Sequence, residues 1–576
     1  MKIVTLVSLL IALFSPTPLH AASDVKPSGK LPVLYINTDD PTASPDNSKE
    51  NYLEATAYIV ANGIGGYEDL GTKANPRKLQ VRGRGNWTFS GFHKKPYRLK
   101  FDKKEEPLGM DKSKHFVLLA LADDDLGMLT TPVGFELARR LGQPFAPLTQ
   151  PVELILNGDY RGLYFLTDNI RVAKERVNIQ EQEDNVTNPD SISGGWLVEL
   201  DNYDTDPHVD IALGNRTMHV TYHTPEALST IQENYLKEQW NAIANALCKN
   251  DAYDTEWEKY IDAESLAQVF LTRELMRGEE GFNGSCYVYK DFGDNTKWKF
   301  GPVWDFGSYS GGRKADHYCF QGEFPAYIID KAWKFKRFRI LAKNMWKDFY
   351  NAQYCKLETF VDSIANKIKE GIACDYDRWK DDTDVTGDGR MRITNDELAM
   401  AETFKKWMRE KADWLNKTWA QDEPKDINIY VYAADGKTPW IHIWNSEATT
   451  QWPGKEMTGT MTVGDKTFHH TTIPSGSSIL FHEGGNDLQE ARLTQTEDIT
   501  NVAQDTWYYL TQANGEKHNG RYTPYDNAED MITAGISNPK TEERHTNIRY
   551  NLAGQKVDGS FKGIIITKGK KIFYIK

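Results

Sequence analysis

The stretch "GEEGFNGSCYVYKDFGDNTKWKFGPVWDFG" (278–307) decides the fold class of the larger part of the chain. It opens with two adjacent glutamates, of which Glu280 is the second. The alternating residues that follow predict two short strands, at 286–290 and 297–303, joined by a glycine turn. Asp305 stands directly after the second strand. The order along the chain is therefore a carboxylate loop, a hairpin and an aspartate.

That order suits phosphoryl transfer. Protein kinases place a catalytic carboxylate, a second metal ligand and a magnesium-binding aspartate in this order, because in-line transfer needs a base and a metal clamp at opposite ends. A purely structural alternative makes Trp304 and Phe306 core residues and gives Asp305 the cap of a turn. The residues of the stretch alone leave both interpretations open.

Basic side chains alternate along two strands predicted upstream, within 78–102. Arg82 and Arg84 share one face of the first strand. Arg98 and Lys100 share one face of the second, with apolar side chains opposite. Guanidinium groups match phosphate oxygens in bidentate contacts, so these cations suit a phosphate or another polyanion. The alternative is an ordinary solvated sheet face.

Composition limits the size and the partners of the protein. With 576 residues, 39% of them hydrophobic, the chain exceeds the ~250–300 residues of one core, so we expect more than one domain. The net charge of −13 argues against binding to nucleic acid, whose phosphates are held by an excess of Lys and Arg. Five cysteines without metal-ligand spacing predict mostly free, buried thiols.

The N-terminus predicts export. Residues 1–22 combine a positive start at Lys2, an apolar run at 3–14 and small residues at Ala21 and Ala22, which together are typical of a cleavable signal peptide. The apolar run is shorter than the ~20 residues that a transmembrane helix needs, and no later run is longer. We therefore expect a secreted or cell-surface protein without a transmembrane segment.

Patterns along the rest of the chain divide it into regions. Short alternating strands dominate to about residue 200, with a hairpin that turns at Asn157-Gly158. Helical periods dominate from 224 to 419, with helix starts predicted at Thr224-Pro225 and at Asp262. We expect a signal peptide at 1–22, a large domain at 23–420, a β-sandwich module at 421–525, a linker at 526–545 and a β tail at 546–576.

Six blocks, in order along the large domain, resemble the CotH kinase family. They are "VRGRGNWTFSGFHKKPYRLKFDKK" (81–104), "SKHFVLLALADDD" (113–125), "GFELARRLG" (134–142), "VELILNGDYRGLYFLTDNIRVAKERVNI" (152–179), "GGWLVELDNY" (194–203) and "GPVWDFG" (301–307). Members look like divergent protein-kinase-like enzymes that phosphorylate proteins on serine with a nucleotide and a divalent metal. The resemblance implies an α+β, kinase-like large domain and an atypical metal-dependent phosphotransferase that acts on protein hydroxyls outside the cytoplasm.

The resemblance also implies roles for individual residues. It places the catalytic carboxylate at Glu280. It places Mg²⁺, or another divalent metal, on Asp305 with Asn283 or Ser285. The basic positions of the ATP site are Arg82, Arg84, Lys95 and Lys100.

The chain departs from the family pattern at three places. Glu280 stands where many relatives have aspartate, and Gly307 stands where they often have a second acid. Leu129-Thr130-Thr131 replaces a segment that commonly carries an arginine. A catalytically inactive surface protein that uses the scaffold for adhesion and glycan binding is therefore the alternative function, since a fold does not guarantee its usual chemistry.

Two smaller patterns concern metals and nucleophiles. Residues 384–389 resemble the start of a Ca²⁺ loop, but the position of the bidentate carboxylate is taken by Asn395, so the segment is either a Ca²⁺ site or a plain acidic loop. His93, His115 and His223 stand alone in the sequence, and we interpret them as structural or surface residues.

After the helical region the chain changes to short strands rich in Trp, Tyr and His. The runs "IYVYAADG" (429–436), "WIHIWNS" (440–446), "QWPGKEM" (451–457), "ILFHEGGNDLQEARLT" (479–494) and "TWYYL" (506–510) resemble starch-binding β-sandwich modules. The resemblance implies α-glucan or another polysaccharide as a partner. Tyr432 and Trp444 would be stacking platforms and Gln489 the amide ligand. The alternative, preferred for Trp452, is that these aromatics fill the core.

The C-terminal segment forms a last, small unit in the sequence pattern. "IRYNLAGQKV" (548–557) and "KGIIITKGKKIFYIK" (562–576) resemble the C-terminal tails of secreted Bacteroidetes proteins, some of which act as sorting signals. A small structural appendage of three strands is the alternative. Both interpretations agree with export.

Overall fold

The computed structural model describes most of the chain after residue 23. It leaves out residues 1–23, 202–205, 294, 307–313, 323, 325, 383–393, 421–424, 485–490, 493, 512–520, 535–548, 551–555, 558–562, 568–569 and 575–576, and the side chains of 279, 280 and 549–576. The predicted signal peptide lies outside the described residues. The chain is a mixed helix-and-strand protein that divides into two compact units, 1–423 and 424–576.

The first unit begins with a closed seven-stranded barrel in the order β1-β2-β3-β4-β5-β7-β6. Its strands are β1 (Val33–Thr38), β2 (Leu53–Val60), β3 (Arg77–Gly83), β4 (Tyr97–Glu105), β5 (Ser113–Leu119), β6 (Thr149–Leu156) and β7 (Asp159–Asp168). Neighbouring strands are antiparallel except β1 and β6, whose parallel pairing closes the barrel.

Two sequence predictions are confirmed in the barrel. In β4 the apolar side chains, Leu99 among them, are buried inside, while Arg98 and Lys100 point outward. The β6–β7 hairpin turns at Asn157 and Gly158, whose φ angles of 49° and 83° lie in the left-handed region that such a tight turn requires. The outward cations of β3 and β4 are thereby available to a surface outside the barrel.

The second half of this unit is a five-stranded sheet in the order β12-β11-β8-β10-β9. Its strands are β8 (Trp196–Asp201), β9 (His208–Leu213), β10 (Arg216–Thr224), β11 (Cys286–Lys290) and β12 (Lys299–Phe300). One face is apolar, with Val198 and Val220 in the main core cluster. The other face carries Glu199, Thr221 and Tyr287 in one cross-strand row.

Helices complete the first unit, some of them packed against this sheet and others against the barrel. They are α1 (Trp87–Ser90), α2 (Thr130–Arg140), α3 (Thr230–Leu247), α4 (Ala263–Leu275), α5 (Tyr327–Ala332), α6 (Lys336–Ala352), α7 (Tyr354–Trp379) and α8 (Glu397–Trp419). No described helix is both long enough and apolar enough to span a bilayer.

The two predicted helix starts have different outcomes. Asp262 caps α4 as predicted, because its carboxylate accepts a hydrogen bond from the Ser265 backbone N–H at 2.8 Å. The start predicted at Thr224-Pro225 is wrong. Thr224 is still paired in the β10–β8 ladder, and α3 begins only after Ser229, which forms a capping box with Gln232.

A buried ion pair ties α4 to α8. Lys411 Nζ lies 2.5 Å from Glu274 Oε2, and both side chains are almost fully buried. The other oxygen of Glu274 accepts a hydrogen bond from the Cys319 backbone N–H at 2.7 Å. All five cysteines are free, and Cys286 and Cys319 are buried. The Glu274 carboxylate thus connects α4 to α8 and to the segment at Cys319.

The described residues of the second unit include three sheets and a short helix. The sheets have the orders β16-β17-β13-β20-β21, β15-β14-β18-β19 and β23-β22-β24-β25. The ring centroids of Phe481 (β18) and Tyr508 (β20) lie 5.2 Å apart, so the first two sheets are in contact. The elements are β13 (Asp426–Ala433), β14 (Trp440–Trp444), β15 (Lys455–Glu456), β16 (Gly459–Val463), β17 (Lys466–Pro474), β18 (Ser477–His482), β19 (Ile499–Val502), β20 (Thr506–Thr511), β21 (Arg521–Tyr525), α9 (Ala528–Thr533), β22 (Arg549–Tyr550), β23 (Lys556–Val557), β24 (Gly563–Thr567) and β25 (Lys570–Tyr574).

Candidate active site

A cleft of about 1270 Å³ in the first unit is lined by β3 and β4 of the barrel and by the polar face of the five-stranded sheet. Its basic lining consists of Lys49, Arg82, Arg84, Arg98, Lys100, Arg171 and His115. Its acidic lining includes Asp123, Asp124, Glu199, Asp201, Asp206, Glu226 and Asp305. Cations come mainly from the barrel and carboxylates mainly from the sheet half, so opposite charges face one cavity.

Three of the four basic residues that the sequence predicts line this cleft: Arg82, Arg84 and Lys100. Arg82 also donates to the backbone oxygen of Lys49. The fourth, Lys95, is turned elsewhere, because its ammonium donates to the backbone oxygen of Phe89 at 2.5 Å and lies 5.1 Å from the centre of that ring. The structure therefore brings together the strand cations but not Lys95.

His115 lies beside these cations, in surroundings that disfavour its charged imidazolium form. Burial and then the charges of Arg171, Arg98 and Lys100 lower the pKa of His115 to about 4. The imidazole is therefore neutral at pH 7, because a further positive charge is unfavourable there. The cations around His115 suit an anion such as a polyphosphate.

Asp305 stands on the opposite wall with an exposed side chain and a backbone φ of 52°, which is strained for a residue other than glycine. Arg273, a residue of α4 that is only 1% exposed, stabilises this strained conformation. Its guanidinium donates to the backbone oxygens of Trp304 and Asp305, each at 2.5 Å, and lies 5.0 Å from the centre of the Phe306 ring. One buried cation thus fixes the backbone of Trp304–Phe306.

The packing of the two aromatic residues agrees with the structural interpretation of Trp304 and Phe306 as core residues. Trp304 and Phe306 are buried, and both rings lie 5.6 Å from the ring of Phe135 on α2. A Cβ on Gly134 would come within 2.4 Å of Phe306, so α2 needs a glycine at that position. The two aromatic residues anchor the segment in the core and leave Asp305 facing the cleft.

The turn that carries Glu280 rests on the same guanidinium. This short 3₁₀ helix, Glu279–Phe282, follows α4, and a Cβ on Gly281 would come within 2.1 Å of Arg273 Nε. Only glycine allows the turn to approach the guanidinium this closely. The side chain of Glu280 lies outside the described part of the chain. The backbone of its turn and that of Asp305 are nevertheless packed on one residue.

The residues proposed to assist Asp305 differ in exposure. Ser285 lines the cleft with a φ of 51°, whereas Asn283 is 4% exposed. Carboxylate and hydroxyl oxygens suit a hard divalent cation, which commonly takes one or two carboxylates and completes its shell with phosphate oxygens. The donors that Asp305 and Ser285 bring to the cleft therefore fit Mg²⁺ bound with a nucleotide.

A cluster that sequence reasoning missed lies on the polar face of the sheet. His223 Nε2 is 2.6 Å from Glu199 Oε2, and the rings of His223 and Tyr287 lie 5.5 Å apart. Burial opposes the charged imidazolium, but the hydrogen bond and charge of Glu199 outweigh it and raise the pKa of His223. Burial and the same carboxylate raise the pKa of Tyr287 well above its usual value. The three residues come from three separate strands, so no local sequence motif predicts that they lie together.

Thr130, in the segment that departs from the family pattern, is hydrogen-bonded to a buried aspartate. Asp124, which is 4% exposed, accepts hydrogen bonds from the Thr130 hydroxyl at 2.7 Å and from the Thr130 backbone N–H at 2.9 Å. A third bond comes from the Leu126 backbone N–H at 3.0 Å. Asp124 therefore holds the entry to α2.

In the second unit, Tyr432 and Trp444 lie on different sheets. Tyr432 of β13 packs against Phe468 and Tyr509, in the cluster that includes Met531 of α9. Trp444 of β14 stacks on His442 with ring centroids 5.5 Å apart. The third predicted ligand, Gln489, lies outside the described residues, as do Gly307 and the possible Ca²⁺ loop at 384–389.

Comparison with known protein families gives a match that covers the first unit from β3 to α8. The family model described as CotH kinase protein matches residues 81–415, more than half of the chain. The match spans the basic strands, the turn that carries Glu280 and Asp305. No curated protein is similar enough to this chain to be matched.

We expect Glu199→Gln to lower the pKa of His223, since it removes the partner charge that raises it. In the parent, the His223–Glu199 pair stabilises the fold fully below about pH 6.5, the ordinary histidine value, and less as the pH rises through the raised value. The substitution should therefore reduce stability at pH 6 more than at pH 9. NMR titration of His223 and urea unfolding at both pH values measure this.

The matched control is Glu238→Gln, which changes an exposed glutamate on α3. It should leave the titration of His223 and the pH dependence of stability as in the parent. An unchanged titration of His223 in Glu199→Gln would remove Glu199 as the cause of the raised pKa.

Proposed function

Because the chain belongs to the CotH kinase family, we propose that it is an exported, metal-dependent phosphotransferase that moves a phosphoryl group from ATP to protein hydroxyls outside the cytoplasm. The observation that supports this most is the cleft with opposed charges, in which cations of β3 and β4 face Asp305. Positive side chains neutralise phosphate oxygens, while a carboxylate opposite them can hold a divalent cation.

The nucleotide would occupy the cleft with its phosphates against the barrel. Arg84 lines the cleft together with Asp305, and its guanidinium lies 5.4 Å from the centre of the Trp304 ring, beside that aspartate. Apolar side chains that include Ile170, Val172 and Leu197 also line the cleft and offer a surface for the flat base.

Asp305 would hold the divalent metal with Ser285, which also lines the cleft, or with Asn283, which is close to Ser285 in the sequence. A bound Mg²⁺ supplies charge stabilisation on the phosphate oxygens. The strained backbone at Asp305, and the hydrogen bonds that Arg273 donates to the backbone oxygens of Trp304 and Asp305, restrict where the Asp305 carboxylate can lie. That restriction favours transfer, since errors of ~1 Å in position can cost about 100-fold in rate.

Glu280 would orient or deprotonate the acceptor hydroxyl. Support comes from its turn, which lies against Arg273 through Gly281, next to the residue that fixes Asp305. A general base must come within hydrogen-bond reach of the proton that it removes. Glutamate is one methylene longer than aspartate, which shifts the carboxylate by about a bond length relative to an aspartate at this position.

Asp305→Asn tests this function. We expect transfer of the γ-phosphoryl group from labelled ATP with Mg²⁺, to casein or to the chain itself, to fall by about 100-fold or more, because the metal loses its carboxylate. Nucleotide binding measured by calorimetry should lose its dependence on Mg²⁺. The matched control is Asp465→Asn, which changes an 81% exposed aspartate of the second unit and should behave as the parent does.

Two outcomes would contradict the proposal. One is a folded parent chain that binds no nucleotide with Mg²⁺, which would support the inactive adhesion protein instead. The other is an Asp305→Asn chain that transfers phosphate at the parent rate.

We further propose that the second unit targets the protein to a polysaccharide, α-glucan or another. Support comes from β14, where Ile441 and Ile443 are fully buried while Trp440, His442 and Trp444 are half-buried on the opposite face. Trp452 packs edge-on against His442 at 5.3 Å, which extends the aromatic surface. Aromatic faces of this kind stack with the apolar CH faces of sugar rings.

Trp444→Ala should weaken binding of the full chain to soluble starch by about tenfold, because one stacking surface is lost. Affinity electrophoresis in starch-containing gels measures the change. Trp87→Ala, which removes a 46% exposed tryptophan of the first unit, is the control and should bind as the parent does. Equal retardation of the Trp444→Ala chain and the parent would exclude Trp444 from the binding surface.

A further inference from the structure

Two histidines and an aspartate converge at the edge of the five-stranded sheet, on strands β9 and β10. The rings of His208 and His219 stack with centroids 4.4 Å apart and planes within 17°. Each histidine directs its Nε2 toward the same oxygen of Asp210, at 3.6 Å from His208 and 3.5 Å from His219. One potential ligand atom from each side chain lies within 4.8 Å of the other two.

The backbone fixes this convergence. His208 and Asp210 are two residues apart on β9, so they share a face. His219 on β10 is the direct cross-strand partner of Asp210. Directly opposed residues in an antiparallel pair have Cβ atoms about 5 Å apart, so the ladder holds the three side chains together.

We propose that His208, Asp210 and His219 bind a transition-metal ion of the Zn²⁺ class. Imidazole nitrogens favour Zn²⁺, Cu²⁺, Ni²⁺ and Fe²⁺ over Mg²⁺ and Ca²⁺, which prefer all-oxygen shells. Two imidazoles with one carboxylate are a set of three protein ligands that leaves a fourth position for water or a substrate oxygen. The Asp210 side chain is 65% exposed, so an ion can enter from solvent.

A second observation supports the site independently of the cluster. His208 Nδ1 lies 2.7 Å from the backbone oxygen of Asp206. A carbonyl oxygen only accepts, so Nδ1 carries the proton and the lone pair of the neutral ring lies on Nε2, the atom that faces Asp210. Metal-binding histidines commonly have their second nitrogen fixed in this way.

The neighbouring strand adds a further carboxylate. Asp201 of β8 is the cross-strand partner of His219 on the side away from Asp210. The ion would therefore connect β9 to β10 beside β8, on the polar face that also carries the cleft residues Glu199 and His223. This site is separate from the oxygen donors at Asp305, so it does not depend on the proposed phosphotransferase activity.

Metal titration of the tag-free full chain tests the site. After removal of metals with a chelator, Co²⁺ should give visible absorption bands of a low-symmetry, four- or five-coordinate site, and Zn²⁺ should bind one ion per chain and displace Co²⁺. Millimolar Mg²⁺ should not compete. Binding should weaken toward acid pH, because protons compete for the imidazole nitrogens.

Three variants and a matched control distinguish binding at this site from binding elsewhere on the chain. His219→Ala and Asp210→Asn should each reduce Zn²⁺ affinity by about 100-fold or more, the second without a change in side-chain size. Asp305→Asn should leave Zn²⁺ affinity unchanged. The control is His317→Ala, which removes an exposed histidine beside Asp316 and should bind Zn²⁺ as the parent does.

The proposal is overturned if the folded chain, checked by near-ultraviolet circular dichroism, binds no stoichiometric Zn²⁺. It is equally overturned if Asp210→Asn binds Zn²⁺ as tightly as the parent. Loss of Zn²⁺ binding in Asp305→Asn would place the ion in the cleft instead and would also overturn it.

Discussion

The contacts of one buried guanidinium, that of Arg273, organise the candidate site. A charged group with 1% exposure is tolerated only where its donors are satisfied, and here the backbone oxygens of Trp304 and Asp305 accept from it. The same side chain lies over the Phe306 ring and under Gly281. Removal of these contacts would release both the aspartate that faces the cleft and the turn that carries Glu280.

The barrel and the five-stranded sheet of the first unit place side chains of opposite charge on the two sides of the candidate site. The barrel places cations on its outer surface, because alternation along β4 buries the apolar residues inside. The sheet and its helices place carboxylates opposite, with α4 held by the buried pair of Glu274 and Lys411. Charges of opposite sign across one cavity suit a ligand that is itself an anion bound with a cation.

The sequence predicted the local features well, because they depend on neighbouring residues. Alternation identified the faces of β4, Asn157-Gly158 identified a hairpin and Asp262 identified a helix start. Features set by distant parts of the chain were not predicted. Glu199, His223 and Tyr287 meet only because β8, β10 and β11 are neighbours. Lys95 is a different case, because its ammonium donates to the backbone oxygen of Phe89 only six residues earlier, a local contact that the basic pattern did not indicate. Thr224-Pro225 has the composition of a helix start, but pairing with β8 keeps that threonine in a strand.

The central claim is that Arg273 positions Asp305 for a metal-bound nucleotide, and Arg273→Lys tests it most directly. Lysine keeps the charge but cannot donate to two carbonyl oxygens in the planar geometry of a guanidinium. Calorimetry of ADP binding by a folded Arg273→Lys chain should show affinity at least about tenfold weaker than the parent with Mg²⁺ and equal to it with chelator. Arg409→Lys, at an exposed ion pair with Glu358, should match the parent in both conditions. A folded Arg273→Lys chain that binds ADP with Mg²⁺ as tightly as the parent would contradict the claim.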